Sequence, residues 1–120
     1  MYIKIKRIYE AAEVSDGVRI LVDRLWPRGI SKGRAKLDYW AKEVSPSNEL
    51  RQWYQHDAAR WDDFKRRYYK EIHSKPETRT LLRHCTDNEV VTFLFSSKEM
   101  TLNNAVALKE YVEHELLKEE

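Results

Sequence analysis

A chain of 120 residues is short enough for one domain and long enough to bury well over half of its unfolded surface in a single core. With 35% charged residues and apolar runs of only a few residues it contains no transmembrane span, which needs ~20 apolar residues, and Met1-Tyr2-Ile3-Lys4-Ile5-Lys6 lacks the apolar stretch of a signal peptide, so a cytoplasmic location is expected. The net charge of +2 is too small to announce a nucleic-acid partner by itself, and a lone cysteine, Cys85, excludes an intrachain disulfide and a Cys-rich zinc site; no metal or cofactor is expected.

Ile3, Ile5 and Ile8, with Lys4 and Lys6 between them, resemble a half-buried first strand, and Ser15-Asp16-Gly17 marks the turn before a second. Val18, Ile20, Leu21 and Val22 have the character of a buried strand, which ends at Asp23; Pro27 and Gly29 prevent strand or helix from continuing. Leu37 to Val44 alternates in a way that predicts a short strand, with one helical turn as the alternative. Ser45-Pro46-Ser47 stops the chain and caps a short helix carrying Leu50, Trp53 and Tyr54. Asp57 caps the next helix, where Trp61, Phe64, Tyr68 and Ile72 form one apolar stripe. Ser74-Lys75-Pro76-Glu77 has the form of a capping box and predicts a helix carrying Leu81 and Leu82. The run from Val90 to Phe95 is β-branched and aromatic with almost no polarity, as in a strand buried on both faces, and is therefore the central strand. A last helix beginning near Thr101 to Asn104 places Ala105, Leu108, Val112 and Leu116 on one face. This order predicts an α/β fold, one compact domain over residues 1–120 with helices packed on a small, mostly parallel sheet.

If the strands ending at Asp23 and Phe95 run parallel, their exits share one edge of the sheet, where ligands of open α/β sheets sit. The first exit offers Asp23, Arg24, Trp26, Arg28 and Lys32; the second offers Ser96, Ser97, Lys98 and Glu99, then a helix start with Asn103 and Asn104. Unpaired N–H groups at that helix start favour an anion. The expected ligand is a small phosphate or carboxylate bound by Arg24, Arg28 and Lys98, with Trp26 covering it and Ser96 and Asn103 as further contacts. Asp23 would orient the arginines or act as a base; alternatively it pairs with Arg24, Arg28 or a loop amide and holds the turn. Trp26 reads equally as a lid on the core, Arg28 and Lys98 as solvated charges, and Asn103 or Asn104 as a helix cap.

His56, beside Asp57, is a second acid-base candidate, against the plainer reading of a loop residue before a cap. Cys85 reads as an ordinary buried thiol, and His73 and His114 sit on polar stretches without a motif. No phosphate-loop, dinucleotide, zinc-protease or hydrolase motif is present. Residues 24–36 hold five basic side chains and no acid, whereas residues 109–120 hold five acids against two lysines. The basic stripe, with Trp26, Tyr39, Trp40, Trp53, Tyr54 and Trp61, opens the alternative of a nucleic-acid surface. A non-enzymatic module that docks a protein partner through the first loop is the third reading.

Leu21-Val22-Asp23-Arg24-Leu25-Trp26-Pro27-Arg28-Gly29 resembles the signature of the YeaO-like proteins, a branch of the group called domain of unknown function 488. Leu37 to Ser47 through Leu50-Arg51 resembles that family's second block, and the region around Ser96, Lys98, Asn103 and Ala105 its third. The resemblance spans nearly the whole chain and implies a compact α/β fold of small bacterial or archaeal cytoplasmic proteins, with no established activity and no catalytic residue to carry over. Ser97 stands where a small apolar residue such as alanine is usual in the family, which argues against Ser97 as a nucleophile.

Overall fold

The computed structural model describes residues 1–118. Four strands, β1 (Tyr2–Arg7), β2 (Val18–Leu21), β3 (Tyr39–Trp40) and β4 (Val90–Phe95), form one sheet in the order β1-β4-β2-β3, every pair parallel. The α/β expectation holds, and β4 is the central strand, with Val91 to Phe95 fully buried. The described residues also form five α-helices: α1 (Lys32–Ala35), α2 (Asn48–Tyr54), α3 (Trp61–Ile72), α4 (Pro76–Thr86) and α5 (Asn104–Lys118). None is long and apolar enough to cross a membrane.

The register divides the sheet by parity. Ile3, Val91 and Val18 align in one row and Ile5, Phe93 and Ile20 in the next, and these rows face the main core, where Leu50, Tyr54, Phe64, Tyr68, Ile72, Leu81 and Leu108 arrive from α2 to α5. The opposite face carries Lys4, Thr92 and Arg19, then Lys6, Leu94 and Leu21. Only short segments cover that face: Ile8, Ile30 and Ala35 close a small second cluster with Trp26 and Trp40 packed on it.

Where the second face is not apolar, it is ionic. Asp16 has no solvent exposure, and its carboxylate accepts from Arg19 Nη1 at 2.5 Å and Lys6 Nζ at 3.1 Å, while its backbone carbonyl accepts from Thr92 Oγ1 at 2.6 Å. Burial pushes the Asp16 carboxyl up, but the Glu13 amide and the Lys6 and Arg19 side chains outweigh it and hold it down to about 2. Arg19 also donates to the Ala35 carbonyl at 2.9 Å, so the same cluster holds the end of α1. Gly17, at φ +62°, lets β2 start directly against β4; a Cβ there would lie 2.2 Å from the Val90 carbonyl oxygen.

Three local expectations change. The 37–44 segment contributes only two strand residues, because after Ala41 the chain tightens into a 3-10 turn, Lys42–Val44, that drops Val44 into the main core. The capping box at Ser74 does not form: Lys75 is the N-cap of α4, without a side-chain bond, and Pro76 takes the first turn. Asp57 caps a 3-10 turn, Ala58–Arg60, that leads into α3 rather than α3 itself. Ser47 does cap α2, accepting from the Leu50 amide at 3.1 Å.

Asp16→Asn should destabilise the protein by about 3 kcal/mol, because it strands two buried cations. The native Asp16 pKa lies below its unfolded value, so its contribution, about 2 kcal/mol, is complete above about pH 4 and lost as pH falls towards 2. Urea titrations of both proteins between pH 7 and pH 2 should show the native slope in this window and a flatter one in the variant. Gly17→Ala should cost at least ~2 kcal/mol by the same titration at pH 7, since it meets both a positive φ and the Val90 carbonyl.

Candidate functional site

β2 and β4 are neighbours whose chains leave towards opposite faces. After β2 the chain passes Trp26, Ile30 and Ala35 on the second face; after β4 it enters α5, which packs on the main core. Diverging exits of adjacent parallel strands open a crevice at the carboxyl edge of the sheet, the place where open α/β sheets bind ligands. Here it is an open cleft of about 1080 Å³. Its walls are the 23–28 loop, the 96–99 loop, Tyr9 beyond β1, and the polar face of α2.

Asp23 joins the two exits. Its Oδ2 accepts from the Ser96 amide and the Ser96 hydroxyl, both at 2.8 Å, and its Oδ1 accepts from Asn104 Nδ2 at 3.0 Å. Of the two roles open to it in the sequence, the geometry is that of the loop tie, since no arginine pairs with its carboxylate among the described residues. Arg24 lines the cleft, but its Nε and Nη2 donate to the carbonyls of Pro46 and Ser45 at 3.1 and 2.9 Å, strapping the loop to the turn before α2. Trp26 is half-buried, edge-on to Trp40 at 5.5 Å between centroids, with Nε1 donating to the Ile30 carbonyl at 2.7 Å.

Arg28 and Lys98 both line the cleft and are exposed, and neither side chain has a hydrogen-bonded or ionic partner among the described residues. Ser96 is there too, its hydroxyl given to Asp23. Asn103 is not. It is fully buried, its Oδ1 accepts from the Val106 amide and its Nδ2 donates to the Glu99 carbonyl at 2.8 Å, so it caps α5 out of a ligand's reach; Asn104 borders the cleft instead. Lys32 lies on α1, away from the lining.

His56 does reach the cleft, far in sequence from the strand exits. Gln55 ends α2 at φ +47° and His56 follows at φ +55°, two successive left-handed residues without glycine that turn the chain inward. His56 Nε2 stands 3.4 Å from Ser97 Oγ, whose hydroxyl already accepts from the Glu99 amide at 3.0 Å. The wall that the sequence did not assign is α2, with Asn48, Arg51, Gln52 and Gln55. Asn48, Arg51 and Gln52, three and four residues apart, share one helix face, and Gln55, the left-handed residue that ends α2, continues the same wall.

The lining holds four cations, Arg24, Arg28, Arg51 and Lys98, against two carboxylates. Asp23 accepts three hydrogen bonds, and Glu99 Oε2 accepts from the Thr101 amide at 3.3 Å. Beneath them Tyr54 donates to the Leu102 carbonyl at 2.7 Å, its hydroxyl pushed up to about 12 first by burial and then by Glu99 and Asp57. Cys85 is remote from the cleft, and burial pushes its thiol up to about 12, which keeps it protonated and inert.

Residues 2–120 match the family described as "Inactive DUF488-N3 subclade". The chain is 40% identical to the uncharacterized protein YeaO of Escherichia coli K12 over 112 residues, covering 93% of this chain and 97% of YeaO. It is 39% identical over 106 residues to an uncharacterized protein of Mycobacterium tuberculosis H37Rv, and equally to one of Mycobacterium bovis, covering 88% of this chain and 89% of each relative. No solved structure matches it.

Asp23→Asn would turn an amide NH2 towards at least one of the three donors that now meet oxygen, leaving it unsatisfied. The expected loss is ~1–3 kcal/mol in urea titration, with faster hydrogen exchange at the Ser96 amide; Ser96→Ala, which removes a single bond, should cost ~1 kcal/mol.

Proposed function

The chain belongs to the domain of unknown function 488 family, and from that premise we propose that its cleft binds a small molecule bearing a phosphate or carboxylate. One observation carries the reading: Arg28, Arg51 and Lys98 border the cleft with no carboxylate partner among the described residues, and with Arg24 they outnumber the two carboxylates of the lining, Asp23 and Glu99. Cations gathered in a concave site raise the local concentration of anions and supply charge-assisted hydrogen bonds to them.

Binding without turnover fits the groups present. The matching subclade is described as inactive. A base needs an orienting partner and access to the proton it takes; Asp23 spends three acceptor bonds on tying the loops, and no acid pairs with His56 among the described residues, Asp57 accepting from the Ala59 amide and lying 3.7 Å from Arg60. A polynucleotide fits less well, because the aromatic residues it would stack on are committed elsewhere. Trp53 lies beneath Arg60 and Arg67, Tyr54 is buried against Phe64, and Tyr39 stacks on His84.

A panel of phosphate- and carboxylate-bearing metabolites screened by thermal shift should raise the melting temperature of the native protein. Arg28→Ala and Lys98→Ala, at exposed and unpaired side chains, should each weaken the bound anion ~10–100-fold by calorimetry while leaving the unliganded melting temperature unchanged. Absence of any shift across the panel, or affinities indifferent to both substitutions, overturns the reading.

A further inference from the structure

The wall opposite the 23–28 loop differs in chemistry from the strand exits. On α2 the core takes Leu50 and Tyr54, with Trp53 packed against it, while Asn48, Gln52 and Gln55 face the cleft with Arg51 among them. Arg51 Nη1 donates to Asn48 Oδ1 at 3.2 Å, which leaves the Asn48 amide N–H groups directed elsewhere. Gln52 and Gln55 are exposed, and their side chains have no partner among the described residues. A carboxamide presents two donors and one acceptor oxygen and carries no net charge, so beside the cations it adds no charge of its own and suits neutral groups that both give and take hydrogen bonds.

We propose that the ligand is bipartite: a phosphate or carboxylate held by Arg28 and Lys98, joined to a polyhydroxylated, sugar-like body held by the carboxamides of Gln52, Gln55 and Asn48. This rests on the anion-site reading above and goes beyond it by naming what the anion is attached to. A hydroxyl donates and accepts at one atom, which matches a row of carboxamides without demanding one orientation of each. A flat aromatic body finds little ring surface to stack on: Tyr54 and Phe64 are buried, Tyr9 lies against Arg7 and donates its hydroxyl to the Arg28 carbonyl, Trp26 is tied to Ile30, and the exposed His56 ring is tilted against Tyr54. An acyl body finds no apolar wall on α2, whose apolar residues face inward, and only Leu25 exposed on the loop across from it. Gln55 is the residue the fold strains to present: its left-handed backbone at φ +47° ends α2 and turns the chain towards the strand exits.

The test measures calorimetric affinity for three polyhydroxylated anions, ribose 5-phosphate, glucose 6-phosphate and glucuronate, against the bare anions inorganic phosphate and propionate, with adenosine monophosphate as the aromatic arm. At least one sugar anion should bind about tenfold or more tightly than its bare counterpart. The double variant Gln52→Ala/Gln55→Ala, at two exposed positions, should erase that advantage and leave the affinity for inorganic phosphate and the melting temperature as in the native protein. Equal affinities for sugar and bare anions, an advantage that survives the double variant, or a preference confined to adenosine monophosphate overturns this inference while the anion site stands. If neither class binds and Arg28→Ala changes nothing, the anion site fails with it.

Discussion

The carboxylate of Asp23 is the contact on which the functional edge of this molecule depends. β2 and β4 lie side by side, yet the chain leaves them towards opposite faces, and without a tie the two exits would be separate surface loops. Asp23 supplies that tie by accepting three hydrogen bonds from the other side of the gap, two from Ser96 and one from Asn104 at the start of α5. An ionised acceptor makes stronger bonds than a neutral one. It also keeps the Asp23 carboxylate on the Ser96 loop rather than in an ion pair, and four cations against two carboxylates leave the cleft net positive.

The arginines divide by the same logic. Arg7 donates to the carbonyls of Ser96 and Ser97, and Arg24 to those of Ser45 and Pro46, so each guanidinium fork spans two consecutive carbonyls and fixes a loop. These two are struts. Arg28, Arg51 and Lys98 have no such carbonyls in reach and remain available to a ligand. A basic residue near a strand exit is thus of two kinds, and what separates them is the presence of a turn across the gap with carbonyls to offer.

That distinction marks the limit of what was legible in the sequence. Hydrophobic periodicity located β1, α2, α3 and α5, because each buries one face, and unbroken apolar runs located β2 and β4; that the exits of β2 and β4 share an edge was a condition in the sequence, which the parallel register meets. α1 was not legible: four residues carry no period, and this helix exists through the Ser31 cap and the grip of Arg19 on the Ala35 carbonyl, a contact sixteen residues away. Arg24 and Asn103 were placed among ligand contacts because charge and polarity are visible in a sequence while their partners are not. The structure turns Asn103 inward as a cap and commits most of Arg24 to carbonyls. The α2 wall escaped for the converse reason, since carboxamides on a short helix signal nothing until the fold sets them opposite a basic loop.

The ionic cluster on the second face reaches the cleft through the chain itself. A buried ion network is weak evidence of net stability, but it penalises any arrangement that separates its members, and here the members belong to β1, β2 and the turn between them. Arg19 extends that constraint to α1, so the segment from Val22 to Ser31 is held at both ends: at one by β2 and Asp23, at the other by a helix whose last carbonyl is bound. Between these anchors Tyr9 donates to the Arg28 carbonyl at 3.0 Å, Trp26 Nε1 holds the Ile30 carbonyl, and Gly29 takes φ +73° where a side chain would strain the turn. The guanidinium of Arg28 is free, but the backbone that carries it is not. A cation presented from an already ordered loop costs less ordering entropy when an anion arrives than one on a mobile loop. The buried Asp16 on the closed face and the exposed Arg28 at the open edge are therefore parts of one arrangement, in which structural charges are paired out of sight so that a few others can be held ready.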